Sequence, residues 1–320
     1  MTLLVRTEDL HKRFGPNKAV DGISLTVAKG EVLGFLGPNG AGKSTTMKMI
    51  TGFLEPDAGR VSVCGIDVGE KPLQAKARIG YLPEGAPLYG DMTTGDFLDF
   101  IAAIRGFDGK EREKRIDTAV EDTKLAPVMD QTIETLSKGY KRRVGLAQAI
   151  LHDPDVLILD EPTDGLDPNQ KHHVRELIRT MAEKKAIIIS THILEEVEAA
   201  CTRAVVIDRG RIVADGTAEE LQRQVPYHNA ILISVAADAA QRLQQDLGKI
   251  GTVAKVEPVG KANGSVRLRA YPANGQAIAA DVAELIKKRR IPVQEMIVER
   301  GRLDDVFRRI TTPDTGGSDA

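Results

Sequence analysis

The spacing of apolar positions changes along the chain, and each spacing predicts a different element. Up to residue 35 apolar and polar positions alternate, as in "ISLTVAKGEVLGFLG", which predicts antiparallel strands and then a buried strand ending at Gly37. Residues 156–160 ("VLILD"), 186–190 ("AIIIS") and 203–208 are buried strands separated by helices. This order predicts a parallel α/β core.

A helical spacing dominates the middle of the chain, over about residues 93–152. The sequence "TTGD" is a plausible capping box at its start. After it, Phe97, Phe100, Ile101 and Ile104 are predicted to share one helix face. We therefore expect a helical subdomain inside a first domain that covers residues 1–222.

The composition changes near "RQVPYHNA" (223–230), where Pro226 breaks the preceding helix. From there the pattern predicts strand, helix, hairpin, helix and strand, followed by a short helix. The order β-α-β-β-α-β is typical of a small ferredoxin-like α+β domain, which we expect at residues 226–310. The last residues, 311–320, are expected to form a disordered tail.

Composition and charge exclude several classes of partner. A net charge of −2 gives no bulk attraction for nucleic acid or anionic membranes, and 4% aromatic content offers no base-stacking platform. No apolar run is long enough to span a bilayer, and the N-terminus does not resemble a signal peptide. Cys64 and Cys201 are expected to be small apolar residues in a reducing compartment. These features predict a cytoplasmic protein.

The sequence "GPNGAGKST" fits the phosphate-loop pattern G-x-x-x-x-G-K-[ST] and lies between a predicted strand and a predicted helix. Its backbone N–H groups would surround a polyphosphate, Lys43 would reach the β- and γ-phosphates, and Ser44 would ligate Mg²⁺. Alone, such a loop could simply join a strand to a helix. The predicted nucleotide-binding residues here are Gly37, Pro38, Asn39, Gly40, Ala41, Gly42, Lys43, Ser44 and Thr45.

Two carboxylates and a histidine follow the buried strands. Asp160 and Glu161 end "VLILDEP", and successive residues at a strand end point in different directions. Asp160 suits Mg²⁺, and Glu161 suits positioning or deprotonating a water at the γ-phosphate. His192, after "AIIIST", is placed to reach a γ-phosphate oxygen. A solvated carboxylate pair and a surface histidine are the simpler alternatives.

The sequence "LSKGYKRRV" (136–144) offers a second anion site. Ser137 is a good N-cap, and Tyr140, Val144 and Ala147 form a stripe along the helix after it. Ser137 could only cap its own helix, or its hydroxyl and the Gly139 amide could bind a phosphate. The sequence leaves both open at this point.

Taken in order, "GPNGAGKST", "LSKGYKRRV", "VLILDEP", "DGLDP" and "STH" resemble the nucleotide-binding domain of ABC ATPases, over roughly residues 3–220. The resemblance implies a P-loop NTPase core with antiparallel β and helical subdomains, which hydrolyses ATP. It also implies a head-to-tail homodimer, in which Ser137 and Gly139 of one chain complete the ATP site of the other.

Further residues match the family position by position. The resemblance implies that Phe14 stacks on adenine and that residues 164–167 form the loop that crosses the dimer interface. It places Glu84 where most members have a glutamine that senses Mg²⁺, the attacking water and the membrane partner. Lys138 and Tyr140 also depart from the general "LSGGQ" pattern.

The departures resemble one subgroup, the ATP-binding subunits of ABC-2-type transporters, including export ATPases of the gliding-motility and multidrug types. The resemblance implies a separate ABC-2-type membrane permease, docked at the segment after Glu84, and a location on the inner face of the cell membrane. Leu88, Tyr89, Met92 and Phe97 are the candidate contacts. Ordinary packing of the helical subdomain accounts for Phe97 equally well.

Two other functions remain as alternatives. A soluble ABC ATPase acting on nucleic acid or ribosomes would typically show a fused second domain, a coiled coil or a zinc site, which this sequence lacks. The basic run "KKRR" (287–290) closes a helix without interleaved aromatics, so we expect no nucleic-acid partner. A nucleotide switch without turnover conflicts with the complete set Lys43, Asp160, Glu161 and His192. We therefore predict a transport ATPase that uses ATP and Mg²⁺.

Overall fold

The computed structural model describes residues 2–262 and 264–311, and these form two compact units. The first unit runs to Thr217 and the second begins at Ala218. The division therefore precedes the predicted boundary at 222–226, because a short helix is grouped with the second unit. The predicted tail, apart from Thr311, lies outside the described residues.

The first unit alternates strands and helices after an antiparallel beginning. Its strands are β1 (Leu3–Phe14), β2 (Asn17–Ala28), β3 (Val32–Leu36), β4 (Ala58–Val63), β5 (Ile66–Asp67), β6 (Ile79–Leu82), β7 (Val156–Asp160), β8 (Ala186–Thr191), β9 (Arg203–Asp208) and β10 (Arg211–Gly216). Its helices are α1 (Lys43–Ile50), α2 (Pro72–Ala77), α3 (Thr94–Ile104), α4 (Gly109–Thr123), α5 (Lys138–Ile150), α6 (Pro168–Ala182) and α7 (Leu194–Ala200). Short 3-10 turns at Ala126–Val128 and Ile133–Thr135 connect α4 to α5.

The central sheet has the order β10-β9-β3-β8-β7-β6. Strands β9, β3, β8, β7 and β6 are parallel, whereas β10 pairs with β9 as a hairpin. Every residue of β3, β7 and β8 is buried, which explains their continuous apolar sequences. The hairpin turns at Arg209 and Gly210, which both have positive φ values, as a tight two-residue turn requires.

A second sheet of the first unit has the order β2-β1-β4-β5 and is antiparallel throughout. Alternate residues of its strands are buried, including Val5, Leu10, Ile23 and Val27. These side chains share one apolar core with residues of the central sheet such as Phe35. The alternating pattern near the N-terminus therefore marks a sheet with one buried face.

The helical part of the first unit, α3 to α5, packs in an apolar core that it shares with α6 and with strands of the central sheet. Thr93 caps α3 by accepting a hydrogen bond from the Asp96 N–H at 3.1 Å. The predicted stripe on α3 is wrong in part, because Phe97 is buried whereas Phe100 is 37% and Ile104 is 66% exposed. The buried face also contains Leu98, since contact with α4 and α5 rather than apolar spacing sets the rotation of α3.

The second unit contains α8 (Ala218–Gln222), β11 (Ala230–Ala236), α9 (Ala237–Leu247), β12 (Val253–Ala262), β13 (Ser265–Pro272), α10 (Ala279–Arg289), β14 (Val293–Glu299) and α11 (Leu303–Ile310). Its sheet is antiparallel with the order β12-β13-β11-β14. The inward side chains of β11 and β13 pack with α9 and α10 around Ile233, Leu243 and Val282. The predicted hairpin is formed by β12 and β13, and Asn263 between them lies outside the described residues.

Membrane-spanning segments and cysteine pairs are absent from the part of the chain that the structure describes. None of its helices combines the length and the apolar character that a membrane crossing requires. Cys64 and Cys201 are both free thiols. Burial raises the pKa of Cys201 to about 12, so this thiol is unreactive at neutral pH.

Candidate active site

Four neighbouring strands of the central sheet end at the same edge, and each is followed by predicted site residues. The phosphate loop follows β3, and His192 follows β8. Asp160 ends β7 with Glu161 directly after it, and Glu84 lies two residues after β6. These strands are adjacent and parallel in the order β3-β8-β7-β6, so their carboxyl ends lie side by side. The topology thereby gathers residues that are far apart in sequence.

The phosphate loop, residues 37–45, connects β3 to α1. At two of its positions the surrounding backbone leaves room only for glycine. A Cβ on Gly37 would lie 2.5 Å from the Ile207 carbonyl oxygen. Gly42 has a φ of +105°, and a Cβ there would lie 2.3 Å from the Ala19 carbonyl oxygen. Gly40 and Asn39, by contrast, are exposed at the tip of the loop. The loop is therefore wedged against β2 and β9 at its base and open at its tip.

Lys43 begins α1, and its ammonium group lies inside the loop. The side chain is 8% exposed, and Nζ donates hydrogen bonds to the carbonyls of Gly37 at 2.6 Å and Pro38 at 3.1 Å. Burial lowers the pKa of Lys43, and the nearby carboxylates of Glu161 and Asp160 oppose that shift. Ser44 and Thr45, next along α1, are partly exposed. A buried cation beside a glycine-rich helix N-terminus suits an anionic ligand.

Asp160 and Glu161 occupy different environments, as the strand-end argument predicts. Asp160 is 2% exposed and accepts a hydrogen bond from the Ser190 hydroxyl of β8. Glu161 has a φ of 51°, which turns the chain away from the strand direction. Its carboxylate lies 2.8 Å from His192 Nδ1, and this contact joins the ends of β7 and β8.

The side chains near Lys43 fit a magnesium nucleotide. The Ser44 hydroxyl and the carboxylates of Asp160 and Glu84 are oxygen donors, which Mg²⁺ prefers. The charges of Asp160 and Glu84 both act to raise the pKa of Lys43, so both carboxylates lie near its ammonium group. Glu84 itself is exposed. An acidic, oxygen-only set beside a phosphate loop agrees with the composition of a Mg²⁺–nucleotide site.

Two predicted binding residues lie away from this cluster. Phe14 ends β1 and is 51% exposed, opposite Asn17 in the β1–β2 hairpin. Ser137 caps α5 by accepting a hydrogen bond from the Tyr140 N–H at 3.3 Å, so its capping role is observed. In residues 2–262 and 264–311, no hydrogen bond or ion pair joins Ser137 to the phosphate loop.

The start of α5 contacts the segment after Glu161. Gly139 is buried, and a Cβ there would lie 2.9 Å from Gln170 Oε1 and 3.3 Å from Leu166 Cδ2. Lys138 forms a 2.7 Å ion pair with Asp164. This contact lowers the pKa of Asp164. The unusual lysine at position 138 therefore has a partner within its own chain.

Arg142 is a site residue that sequence reasoning missed. It is 6% exposed and donates from Nη1 to the Pro83 carbonyl at 2.9 Å and from Nη2 to the Glu161 carbonyl at 2.6 Å. It thus connects α5 to the loop of Glu84 and to the end of β7. The available signal was its helical phase, because Arg142 precedes the buried Leu146 by one turn.

Comparisons with known proteins find relatives that cover most of this chain. The ABC transporter family profile matches residues 20–164. Nod factor export ATP-binding protein I of Ralstonia nicotianae is 33% identical over 97% of this chain and 94% of its own length. Linearmycin resistance ATP-binding protein LnrL of Bacillus subtilis is 37% identical over 73% of this chain and 75% of its own.

A solved structure shows the same architecture in the first unit. The ATP-binding subunit of an ABC transporter superposes with a TM-score of 0.65 at 32% identity, over 69% of this chain and 92% of that one. This chain therefore belongs to the ABC transporter family, as an ATP-binding subunit with the ATPase fold and activity of that family.

Proposed function

We propose that this chain powers an ABC-2-type exporter, as the ATPase partner of a separate membrane permease. The observation that carries the proposal is the convergence of Lys43, Asp160, Glu161 and His192 at one sheet edge. Relatives named for Nod factor export and linearmycin resistance support the direction of transport. The substitution of Glu84 for glutamine and the sequence "LSKGYKRRV" support the subgroup.

In this proposal the residues around the strand ends have separate roles in binding the phosphates, the adenine and Mg²⁺. The backbone of residues 37–45 and Lys43 bind the phosphates, and Phe14 stacks on the adenine. Ser44 and Asp160, with Glu84 beside them, hold Mg²⁺, which neutralises charge on the phosphates when bound. Each of these roles is inferred from the position of the residue at the site.

Glu161 is the proposed base or orienting group for the attacking water. Its side chain is only 16% exposed, and His192 Nδ1 lies 2.8 Å from its carboxylate. That contact fixes the rotamer of the carboxylate before substrate arrives, which lowers the cost of orientation in the transition state. His192 is 64% exposed, so its other ring nitrogen is accessible to a phosphate oxygen.

We propose that two chains pair head to tail. The exposed Ser137 and the amide of Gly139 lie at the start of α5, where N–H groups favour an anion. In the dimer, the nucleotide bound to the phosphate loop of a second copy would place its phosphates at the start of α5. Ser137 would then cap its helix and contact the γ-phosphate of the partner's nucleotide at the same time.

A groove beside the Glu84 loop is the proposed permease site. It has a volume of about 420 Å³ and is lined by residues that include Phe53, Tyr81, Pro87 and Arg105. Phe53 is 75% exposed, and the buried Tyr81 hydroxyl has no hydrogen-bond partner among the described residues. An exposed apolar ring that lines a groove suits an amphipathic helix from the permease.

The residues predicted for this contact need one correction. Phe97 is 1% exposed and packs in the helical core, so it is not available to a partner. Tyr89 is 59% exposed and lies against the rings of Phe97 and Phe100. Leu88 and Met92 pack partly against the same core. Tyr89 therefore remains the best surface candidate of the four.

The experiment that tests this function is affinity purification of the Glu161→Gln variant. The variant should bind ATP but hydrolyse it slowly, which holds the dimer closed. Membranes of the native host, solubilised in mild detergent with MgATP, should yield a co-purifying polytopic membrane protein. Recovery of only ribosomes or nucleic acid would remove the transport proposal and leave the ATPase assignment intact.

A matched pair of surface variants locates the contact. Phe53→Asp in the Glu161→Gln background should abolish recovery of the membrane protein. Leu3→Asp introduces the same charge at an exposed apolar residue, 50% exposed, that does not line the groove. Equal recovery with both variants would place the permease elsewhere.

Two proposals concern organisation and location. Residues 226–310 would form a ferredoxin-like domain, and the strand order β12-β13-β11-β14 with two crossing helices supports it. The nucleotide-binding domain would comprise residues 1–222, with the helical subdomain at 93–152. Docking to the permease would hold the chain at the inner face of the cell membrane.

A further inference from the structure

A buried carboxylate outside the strand-end cluster binds two threonine hydroxyls at once. Glu196 lies on α7 and is 3% exposed. Thr163 donates its hydroxyl to Glu196 Oε1, and Thr191 donates to Oε2 at 3.0 Å. Lys171 Nζ lies 3.8 Å from Oε1 and supplies the nearby positive charge. Each oxygen of the carboxylate is therefore used.

The two threonines lie next to the proposed catalytic residues in the sequence. Thr163 follows Glu161 by two residues, and Thr191 immediately precedes His192. Both threonines are buried, at 3% and 0% exposure. The Thr191 hydroxyl also accepts a hydrogen bond from the Ile193 N–H at 3.0 Å, which fixes the turn around His192. Glu196 therefore connects the two segments that present Glu161 and His192.

The distance between Glu161 and His192 depends on these two segments. Their side chains meet at 2.8 Å, although one follows β7 and the other follows β8. Glu161 holds a φ of 51°, a conformation that non-glycine residues retain only when their surroundings impose it. Charge-assisted hydrogen bonds donated to a buried carboxylate are among the stronger and more directional contacts in a protein.

We infer that Glu196 is a positioning residue for ATP hydrolysis, acting through Thr163 and Thr191 on Glu161 and His192. This inference rests on the proposed roles of Glu161 and His192. A neutral residue at position 196 would fill the same space but would lose the ability to accept both hydroxyl protons. The two segments would then shift independently, and the carboxylate of Glu161 would lose its fixed orientation.

The first test is steady-state ATP hydrolysis by Glu196→Gln beside Glu195→Gln. Glutamine keeps the shape but accepts only one of the two hydrogen bonds, so kcat should fall about tenfold or more. KM for ATP should stay within about twofold, because the phosphate loop is untouched. Glu195 is exposed on the same helix, and its variant removes the same charge. Equal kcat values for the two variants would overturn the inference.

A second set of variants covers the case in which Glu196→Gln does not fold. Thr163→Ser and Thr191→Ser keep the hydroxyl, whereas Thr163→Val and Thr191→Val keep the shape. The serine variants should retain most of the wild-type kcat, and the valine variants should lose it. If serine and valine behave alike, packing rather than the hydrogen bond matters and the inference is wrong.

The Glu161→Gln variant separates this inference from the function on which it rests. If Glu161→Gln hydrolyses ATP at the wild-type rate, the proposed role of Glu161 fails, whatever Glu196 does. If Glu161→Gln is inactive but Glu196→Gln and the valine variants are fully active, only the positioning role fails. Combining Glu196→Gln with Glu161→Gln should add little further loss, because both act on one group.

Discussion

Glu161 illustrates how single residues at this site are held in unfavourable conformations by their neighbours. Its φ of 51° costs on the order of 1 kcal/mol for a residue with a side chain. Its carbonyl accepts hydrogen bonds from Arg142 Nη2 and from the Asp164 N–H at 3.1 Å. Two donors on one carbonyl fix the peptide after the strained residue, and the carboxylate then points toward His192.

Position-by-position reasoning identified the residues that are proposed to carry the chemistry, but not the residues that hold them in place. Lys43, Asp160 and Glu161 stand in short motifs whose spacing has a chemical meaning. Arg142 and Glu196 have no such motif, because Arg142 pairs with backbone carbonyls 19 and 59 residues away and Glu196 pairs with the hydroxyl of Thr163, 33 residues away. A single sequence does not reveal those pairs, since only folding brings them together.

His152 makes stability depend on pH. Its Nε2 donates to the Ile79 carbonyl at 3.0 Å, and burial with nearby cations lowers its pKa to about 4. The fold therefore disfavours the protonated ring. The contribution of the neutral His152 to the free energy of unfolding is fully present above the unfolded-state pKa of about 6.5. It is lost as the pH drops from there toward 4.

We expect the wild type to lose about 2 kcal/mol of stability through His152 between pH 7 and pH 5. His152→Gln keeps a donor for the Ile79 carbonyl but does not titrate, so its unfolding midpoint should change less over that range. Urea unfolding at both pH values measures the difference. His172→Gln, at an exposed position on α6, is the control and should behave as the wild type. Equal pH dependence in all three proteins would contradict the prediction.

At the scale of elements, the path of the phosphate loop depends on glycine positions where a side chain would not fit. Gly42 combines a φ of +105° with a carbonyl oxygen 2.3 Å from the position of a Cβ. Gly30, in the turn between β2 and β3, has a φ of +89° but open space around it. A side chain at Gly30 would therefore meet only the unfavourable backbone conformation, whereas a side chain at Gly42 would also overlap with neighbouring atoms.

Gly30→Ala should lose about 1 kcal/mol of stability through its backbone alone. Gly42→Ala should lose more than that, and it should also lose ATP binding, because relief of the overlap with Ala19 displaces the loop from β2. Thermal unfolding and titration with a fluorescent ATP analogue measure both effects. Retention of nucleotide affinity by Gly42→Ala would show that the loop tolerates this displacement.

Element boundaries were predictable where local signals are strong. Thr93 and Ser137 both cap the helices that they were predicted to begin. The short helix predicted after the last strand is α11, at Leu303–Ile310. The burial of α3 was predicted less well, because Phe100 and Ile104 are exposed. Caps and turns depend on adjacent residues, whereas helix rotation depends on neighbouring helices.

At the scale of the whole molecule, the two-chain arrangement has a direct test by mixing inactive variants. Lys43→Ala removes a residue of the phosphate loop. Ser137→Asp keeps a good N-cap but places a negative charge where the partner's phosphate would lie. Each variant alone should be inactive in phosphate release.

Mixing Lys43→Ala with Ser137→Asp should restore part of the activity. In a head-to-tail pair of these chains, one site combines an intact phosphate loop with an intact Ser137 from the other chain. A protein with both substitutions, mixed with Lys43→Ala, is the control and should stay inactive. No recovery in the first mixture would mean that each chain uses its own Ser137, or that both sites must be intact.

The sequence by itself determined the chemistry of this protein. The motifs around Lys43, Asp160 and Ser137 are contiguous, and their side-chain types and spacing relate directly to phosphate and Mg²⁺. The alternation and the apolar runs determined the class of fold, because strands with one buried face and with two buried faces need different patterns. These features depend on residues close together in the chain.

Only the tertiary structure decided how those motifs are held relative to one another. The order β3-β8-β7-β6 places Glu161 against His192, and Arg142 and Glu196 fix the segments around them. It also decided that Phe97 is buried and that the division between units comes at Thr217. Several of these contacts join distant residues: Arg142 is 19 positions from Glu161 and 59 from Pro83, and Glu196 is 33 positions from Thr163. Their geometry depends on how strands and helices pack, and no local pattern encodes it.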